Sequence, residues 1–127
     1  MNDFETVSAY KEIKDEGRAS EADIKECGQK LLADTGSKNL IVSRGAYGMM
    51  VFENGMIYDV PTKEKKVVEI TGAGDTTLAA IVAAWSTNAS LVEAAKIGNY
   101  AGGIVVQKPG TATASKEEIL KEIENDE

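Results

Sequence analysis

The stretch Glu69-Ile70-Thr71-Gly72-Ala73-Gly74-Asp75-Thr76-Thr77 constrains this chain more than any other part of it. Val67, Val68 and Ile70 read as the end of a strand, while Leu78, Ile81, Val82 and Trp85 recur at helical spacing from near Gly74 onward. A strand that turns on glycines straight into a helix leaves several backbone N–H groups unpaired and aimed at one spot. The helix dipole favours negative charge at the same place. Asp75 sets a carboxylate at its rim. An anion-attracting turn beside a proton acceptor points to phosphoryl transfer. The plain alternative is a strand-to-helix turn in which Asp75 merely suits the first helical turn. Two other phosphate motifs do not fit. A dinucleotide fingerprint needs glycine where Thr77 stands and an acid at a strand's end about 20 residues on. The acid near that distance is Glu93, at a helix start, and no Gly-Lys-Ser/Thr follows to make a P-loop.

Composition narrows the chemistry. The chain has 127 residues and a net charge of −7, which argues against a general nucleic-acid binder but leaves a small nucleotide open. It has no histidine, so Ser-His-Asp catalysis is excluded and a zinc site is disfavoured. Its single cysteine, Cys27, allows no internal disulfide and suits a reducing, cytoplasmic compartment. Placed between Ile24 and Leu31 on an amphipathic helix, Cys27 reads as a small packing thiol rather than a nucleophile. No apolar run reaches the length of a membrane span, and the acidic start is unlike a signal peptide. No membrane partner is expected.

The order of elements follows from local signals. Phe4, Val7, Tyr10 and Ile13 give a helical stripe stopped at Gly17. Ser20-Glu21-Ala22-Asp23 has the form of an N-cap and opens a second helix that ends around Gly36. Asn39 to Ser43 is a short apolar strand, followed by Arg44-Gly45-Ala46-Tyr47-Gly48 and a second strand from Met49 to Phe52. Asn54-Gly55 between that run and Met56 to Val60 predicts a hairpin. Pro61 to Lys66 reads as a polar connector and Val67 to Ile70 as the strand before the glycine turn. The helix after that turn runs toward Asn88, Ser90 to Glu93 caps another helix reaching Val105, and a short one starts at Ser115. There is no internal repeat. The pattern predicts a single α/β domain over 1–127, with helices flanking a mixed sheet.

Residues 69–75 resemble the second signature of the ribokinase-like, or PfkB, carbohydrate kinases, which reads Asp-Thr-x-Gly-Ala-Gly-Asp; Glu69 stands where that signature begins with Asp. Asn2-Asp3-Phe4-Glu5 resembles the family's Asn-x-x-Glu motif. Ser43-Arg44-Gly45 with Gly48 resembles its strand-end turn near the nucleotide, and Asn99 sits where members place an Asn near the adenine. Gly98 through Ser115 looks closest to the kinase domain of the heptose-7-phosphate kinase/ADP-heptose synthase group.

The resemblance implies a three-layer α/β/α fold, of which this chain is the C-terminal, nucleotide-binding portion, with a mostly parallel sheet plus a β-hairpin. It implies ATP and Mg²⁺, with a monovalent cation as a further candidate, and a small sugar or sugar phosphate as acceptor. Asp75 would take the proton of the attacking hydroxyl, and the N–H groups of Gly72, Ala73 and Gly74 would hold developing charge. Nucleotide contacts are expected at Ser43, Arg44, Gly45, Gly48, Thr71, Asn99 and Gly102, and cation contacts at Asn2, Glu5 and Glu69. The residues themselves leave other roles open: Asn2 and Glu5 suit a helix cap, Arg44 a solvated strand-end charge, and Asn99 a solvent-facing helix position. Family members carry a long N-terminal half ahead of the Asn-x-x-Glu motif, which supplies the sugar pocket. The first strand here is therefore expected to lack neighbours and invite either homo-oligomerisation or association with that half. A non-catalytic nucleotide-binding module and a structural interaction domain remain the competing readings.

Overall fold

Asn54 and Gly55 both have positive φ, 54° and 77°, as a two-residue turn of the primed kind requires, and they fold the middle of the chain back on itself. The structure, a computed structural model, describes residues 1–13, 19–62, 73–110 and 112–126. They fall into two compact units, Met1–Val60 and Pro61–Glu127.

In the first unit, α1 (Asp3–Ser8) and α2 (Glu21–Thr35) accompany β1 (Leu40–Ser43), β2 (Met49–Glu53) and β3 (Met56–Val60). The start and stop signals of α2 act as expected: the Ser20 hydroxyl accepts from the Asp23 N–H at 3.2 Å, and the helix closes at Gly36. The stripe at 3.6-residue spacing, Ile24, Cys27 and Gly28, is the buried one. Pairing of Val42 with Met50 and of Leu40 with Phe52 puts these four on one sheet face. Val42, Met50 and Phe52 form the core with Val7, Ile24 and Cys27. A Cβ at position 28 would lie 2.4 Å from the Phe52 ring, so glycine is what lets α2 lie directly on β2. Burial also pushes the Cys27 thiol above its usual pKa, which suits an inert packing group.

The described sheet runs β1-β2-β3 with both pairings antiparallel, and β2-β3 is the expected hairpin. Residues 44–48 and 54–55 are too short to be crossovers, and parallel neighbours need connections of about a dozen residues. The parallel element is the bridge between Asn2 and Ser43, with the Ser43 N–H donating to the Met1 carbonyl at 2.9 Å. The edge of β1 is thus partly occupied by the first two residues. The expected strand Val67–Ile70 lies outside the described residues, as does Gly17. The first helix also ends sooner than its stripe implies, at Ser8. Tyr10 and Ile13 still pack on the core, because side chains take over the anchoring. The Tyr10 hydroxyl donates to Asp34 at 2.7 Å, and the Lys11 ammonium donates to Asp23 and Glu26 on α2.

In the second unit, α3 (Ala73–Trp85) and α4 (Leu91–Val105) form a helical hairpin joined by residues 86–90, and α5 (Lys116–Asp126) follows. Ser90 caps α4 by accepting from the Glu93 N–H at 3.1 Å. Ser115 and Glu118 cap α5 reciprocally, each backbone N–H bonded to the other's side chain at 3.1 Å. Gly98 and Gly102 face α3: a Cβ would lie 2.6 Å from Ile81 Cγ1 at the first and 2.4 Å from Thr77 Oγ1 at the second.

Replacing Gly98 by Val should therefore destabilise the second unit by at least ~1–3 kcal/mol through overpacking, read as a lowered urea midpoint, and Ile81→Ala in the same chain should recover part of the loss. Asp23 and Glu26 are held below the usual carboxylate pKa chiefly by hydrogen bonds from Lys11, and Glu118 by those from Lys108. Such groups stabilise the fold above the unfolded carboxylate range, ~4, and lose that contribution as pH falls through their lower native values. Lys11→Met should consequently show a smaller drop in urea midpoint between pH 7 and pH 3 than the unaltered chain.

Candidate functional site

Residues about 40 positions apart meet at the end of β1. The bridge between Asn2 and Ser43 sets the Asn-x-x-Glu segment beside the Ser-Arg-Gly turn. Ligand crevices of α/β folds form at such carboxyl ends of strands. Asn2 Oδ1 accepts from the Glu5 N–H at 2.7 Å, and Glu5 Oε2 accepts from the Asn2 N–H at 3.2 Å. Asn2 and Glu5 thus form a complete capping box on α1. The Asn2 oxygen is committed to that cap. The exposed Glu5 carboxylate keeps further lone pairs for a hydrated cation.

Arg44 is not the solvated strand-end charge its position allowed. Only 11% of its side chain is exposed, and its guanidinium pairs with Glu21 at 3.4 Å and Asp59 at 3.7 Å. It also lies 5.7 Å from the centre of the Tyr47 ring. Nε is buried and has no hydrogen-bond partner among the described residues. Below it, the Arg44 N–H donates to the Gly48 carbonyl at 2.8 Å, closing a loop in which Gly45 and Gly48 have φ of +55° and +87°. Side chains are rarely tolerated there, so the glycines shape this turn for steric reasons. Glu21 and Asp59 were invisible as partners in the sequence, since neither is near Arg44 in the chain.

In the second unit Asp75 lies in the first turn of α3 and is exposed. A Cβ on Gly74 would meet nothing within 4 Å among the described residues. The N–H groups of Ala73 and Gly74 belong to that first turn, where no intrahelical acceptor is available. Glu69, Thr71 and Gly72 lie outside the described residues. Gly102 makes the close contact with Thr77 and so serves helix packing next to this turn. Asn99 donates to the Pro61 carbonyl at 3.5 Å and borders an open cavity of ≈ 270 Å³. Pro61 and Tyr100 supply flat apolar walls, while Thr62, Lys96, Glu122 and Asp126 supply polar ones. The sequence pointed to Asn99 alone. The contribution of α5 depends on how it packs against α4, and no local motif carries that information. Among the described residues, no group of three or more His, Cys, Asp or Glu side chains converges as a metal site. No helix among them is long and apolar enough to cross a membrane.

A sequence profile of pfkB family carbohydrate kinases matches residues 2–118. The chain belongs to this family. It is 45% identical over 100 residues to the bifunctional protein HldE of a Nitratiruptor species, covering 79% of this chain and 21% of that relative. Against the HldE protein of a Pseudomonas aeruginosa strain it is 33% identical over 129 residues, covering 100% of this chain and 26% of the relative. The chain thus spans about a quarter of the length of these curated relatives. Among solved structures, a ribokinase from Thermotoga maritima superposes with a TM-score of 0.75 at 29% identity, covering 80% of this chain and 35% of that one. An Arabidopsis thaliana ribokinase solved with ribose and ATP gives 0.74 at 26%, over 80% and 34%. The phosphofructokinase-2 of Escherichia coli, solved with potassium, gives 0.73 at 25%, over 81% and 33%. The ribokinase-like fold and the family expected from the signature are both borne out.

Because Asn2 and Glu5 are a mutual cap, Asn2→Ala should lower the unfolding free energy by about 0.5–2 kcal/mol. Glu5→Gln should leave it nearly unchanged, since glutamine serves a capping box equally well. Urea titrations of both variants check this. A loss of Mg²⁺-dependent nucleotide binding in Glu5→Gln at unchanged stability would assign the carboxylate a role beyond the cap.

Proposed function

We propose that this chain is the nucleotide-binding part of a carbohydrate kinase that moves the γ-phosphoryl group of ATP to a hydroxyl of a sugar or sugar phosphate. One observation carries the reading: in a pfkB family chain, an exposed Asp75 occupies the first turn of α3, where the backbone N–H groups of Ala73 and Gly74 have no intrahelical acceptor. Asp75 is the base. It accepts the hydroxyl proton as that oxygen bonds to phosphorus, and the bond to the β-phosphate oxygen breaks to release ADP. The N–H groups of Gly72, Ala73 and Gly74 are assigned to the charge that develops, and Thr71 to the nucleotide. Asn99 and the cavity wall at Tyr100 and Pro61 suit a flat heteroaromatic base. Ser43, Arg44, Gly45 and Gly48 shape the strand-end turn assigned to the phosphates. Glu5, with Glu69, is the candidate contact for Mg²⁺, which when bound would shield phosphate charge. Gly102, which lets α4 lie close to Thr77 on α3, is assigned to the nucleotide side of the same turn.

The HldE relatives, together with the resemblance over Gly98 to Ser115, support heptose 7-phosphate as acceptor. Sugar binding is assigned to the additional length that the relatives carry. A potassium-bound neighbour supports a monovalent cation. The buried, unpaired Cys27 suits a cytoplasmic setting.

Mg·ADP in 100-fold excess over its Kd should stabilise the chain by ~2.7 kcal/mol and raise its melting temperature. Asn99→Leu should weaken that effect and Asp75→Asn should leave it intact. No shift at millimolar Mg·ADP would remove the nucleotide reading. In a chain complemented for sugar binding, Asp75→Asn should cut phosphoryl transfer ~10²–10⁴-fold. Turnover by this chain alone should be negligible.

A further inference from the structure

The turn that closes the β2–β3 hairpin also brings together the two groups of an intramolecular reaction. Asn54 and Gly55 have φ of 54° and 77°, and Glu53 pairs with Met56 directly across them. Positive φ at both central residues is what selects this dipeptide, and Asn-Gly occurs at this one place in the chain. The same choice sets an electrophile, the side-chain amide carbon of Asn54, beside a backbone nitrogen whose own Cα bears no side chain. Asn88 is a comparison within the same molecule. It also has positive φ, 71°, but Ala89 follows it, and the Ala89 methyl group crowds the corresponding nitrogen.

We propose that Asn54 is a site of spontaneous deamidation and isomerisation, gated by opening of the hairpin turn. The Gly55 nitrogen bonds to Asn54 Cγ, the bond from Cγ to the amide nitrogen breaks, and ammonia leaves with the proton that the backbone nitrogen gives up. Water then opens the five-membered imide. Attack at Cγ yields aspartate, and attack at the main-chain carbonyl yields isoaspartate, in which the chain runs through Cβ. The net exchange is water in and ammonia out, with no further reactant. Every reacting protein atom belongs to two adjacent residues, so the site is complete within the hairpin. The closed turn restrains it. In a type I′ turn the first central residue has ψ of about +30°, which points the next nitrogen away from Cβ, whereas ring closure needs it on the same side. The two products also differ in what they do to the fold. Asp-Gly suits the same turn, so aspartate leaves the hairpin in place. Isoaspartate adds one main-chain carbon to a two-residue loop. The Glu53–Met56 pair then loses its register, and the strain passes to Ile57, which packs on the core.

The test is to incubate the full chain at mildly alkaline pH, folded in buffer and unfolded in urea, and to follow each asparagine by peptide mass spectrometry. Isoaspartate is counted separately, by methyl transfer from S-adenosylmethionine with an isoaspartyl methyltransferase, which esterifies that residue and not ordinary aspartate. Asn54 should convert in both samples, well ahead of Asn88, and faster as pH rises, because attack needs the deprotonated nitrogen. Conversion should be at least ~10-fold slower in the folded chain, equivalent to an opening free energy of ~1.4 kcal/mol or more. Ile57→Ala, which loosens the hairpin from the core, should speed the reaction in buffer and leave the rate in urea unchanged. The purified isoaspartyl form should melt below the unaltered chain, while Asn54→Asp should melt with it. No conversion of Asn54 in the folded chain, equal rates in buffer and urea, or reaction of Asn88 first would overturn the proposal. So would an isoaspartyl form as stable as Asn54→Asp.

Discussion

Gly98 and Gly102 leave no side chain between α4 and α3, and that missing bulk fixes where the first turn of α3 stands. With any larger residue at 102, the Thr77 hydroxyl would be displaced, and Thr77 is two residues from Asp75. Glycines inside a helix cost about 0.5–1 kcal/mol each relative to alanine. Burying Ile81 against the groove they leave returns roughly 1.5–3 kcal/mol. The exchange is close to even in stability, so its benefit lies in position: two helices held at close range give the start of α3 a defined place. A helix start that drifts cannot hold backbone donors on a phosphoryl group, because transfer depends on donors already in place as charge develops.

At the end of β1 the same atoms face two demands. The Asn2 oxygen and one Glu5 oxygen satisfy backbone donors of α1, which in a helix of six residues form a large share of its fixed bonds. A cation drawing on Asn2 directly would undo the cap. One held through water by the outer lone pairs of Glu5 would leave it intact, which is how Mg²⁺ commonly binds. Arg44 is under a comparable constraint. Glu21 and Asp59 neutralise it, and the Tyr47 ring covers it, so the guanidinium is oriented before any ligand arrives. An oriented cation loses less side-chain entropy on binding an anion than a free one does.

The sequence was readable wherever a few neighbouring residues determine the conformation. Ser20, Ser90 and Ser115 start helices because their hydroxyls reach an N–H three residues on, and Asn54-Gly55 turns because both accept positive φ. The family signature was equally legible, since it is written in consecutive residues. What failed depended on distant contacts. The Phe4–Ile13 stripe read as one helix, but Tyr10 and Lys11 are held by Asp34, Asp23 and Glu26, so the stripe is buried without helical continuity. The packing of Gly102 on Thr77 appears only when α3 is laid against α4. The cavity at Asn99 draws on Glu122 and Asp126 from the last helix, which no spacing rule connects to α4.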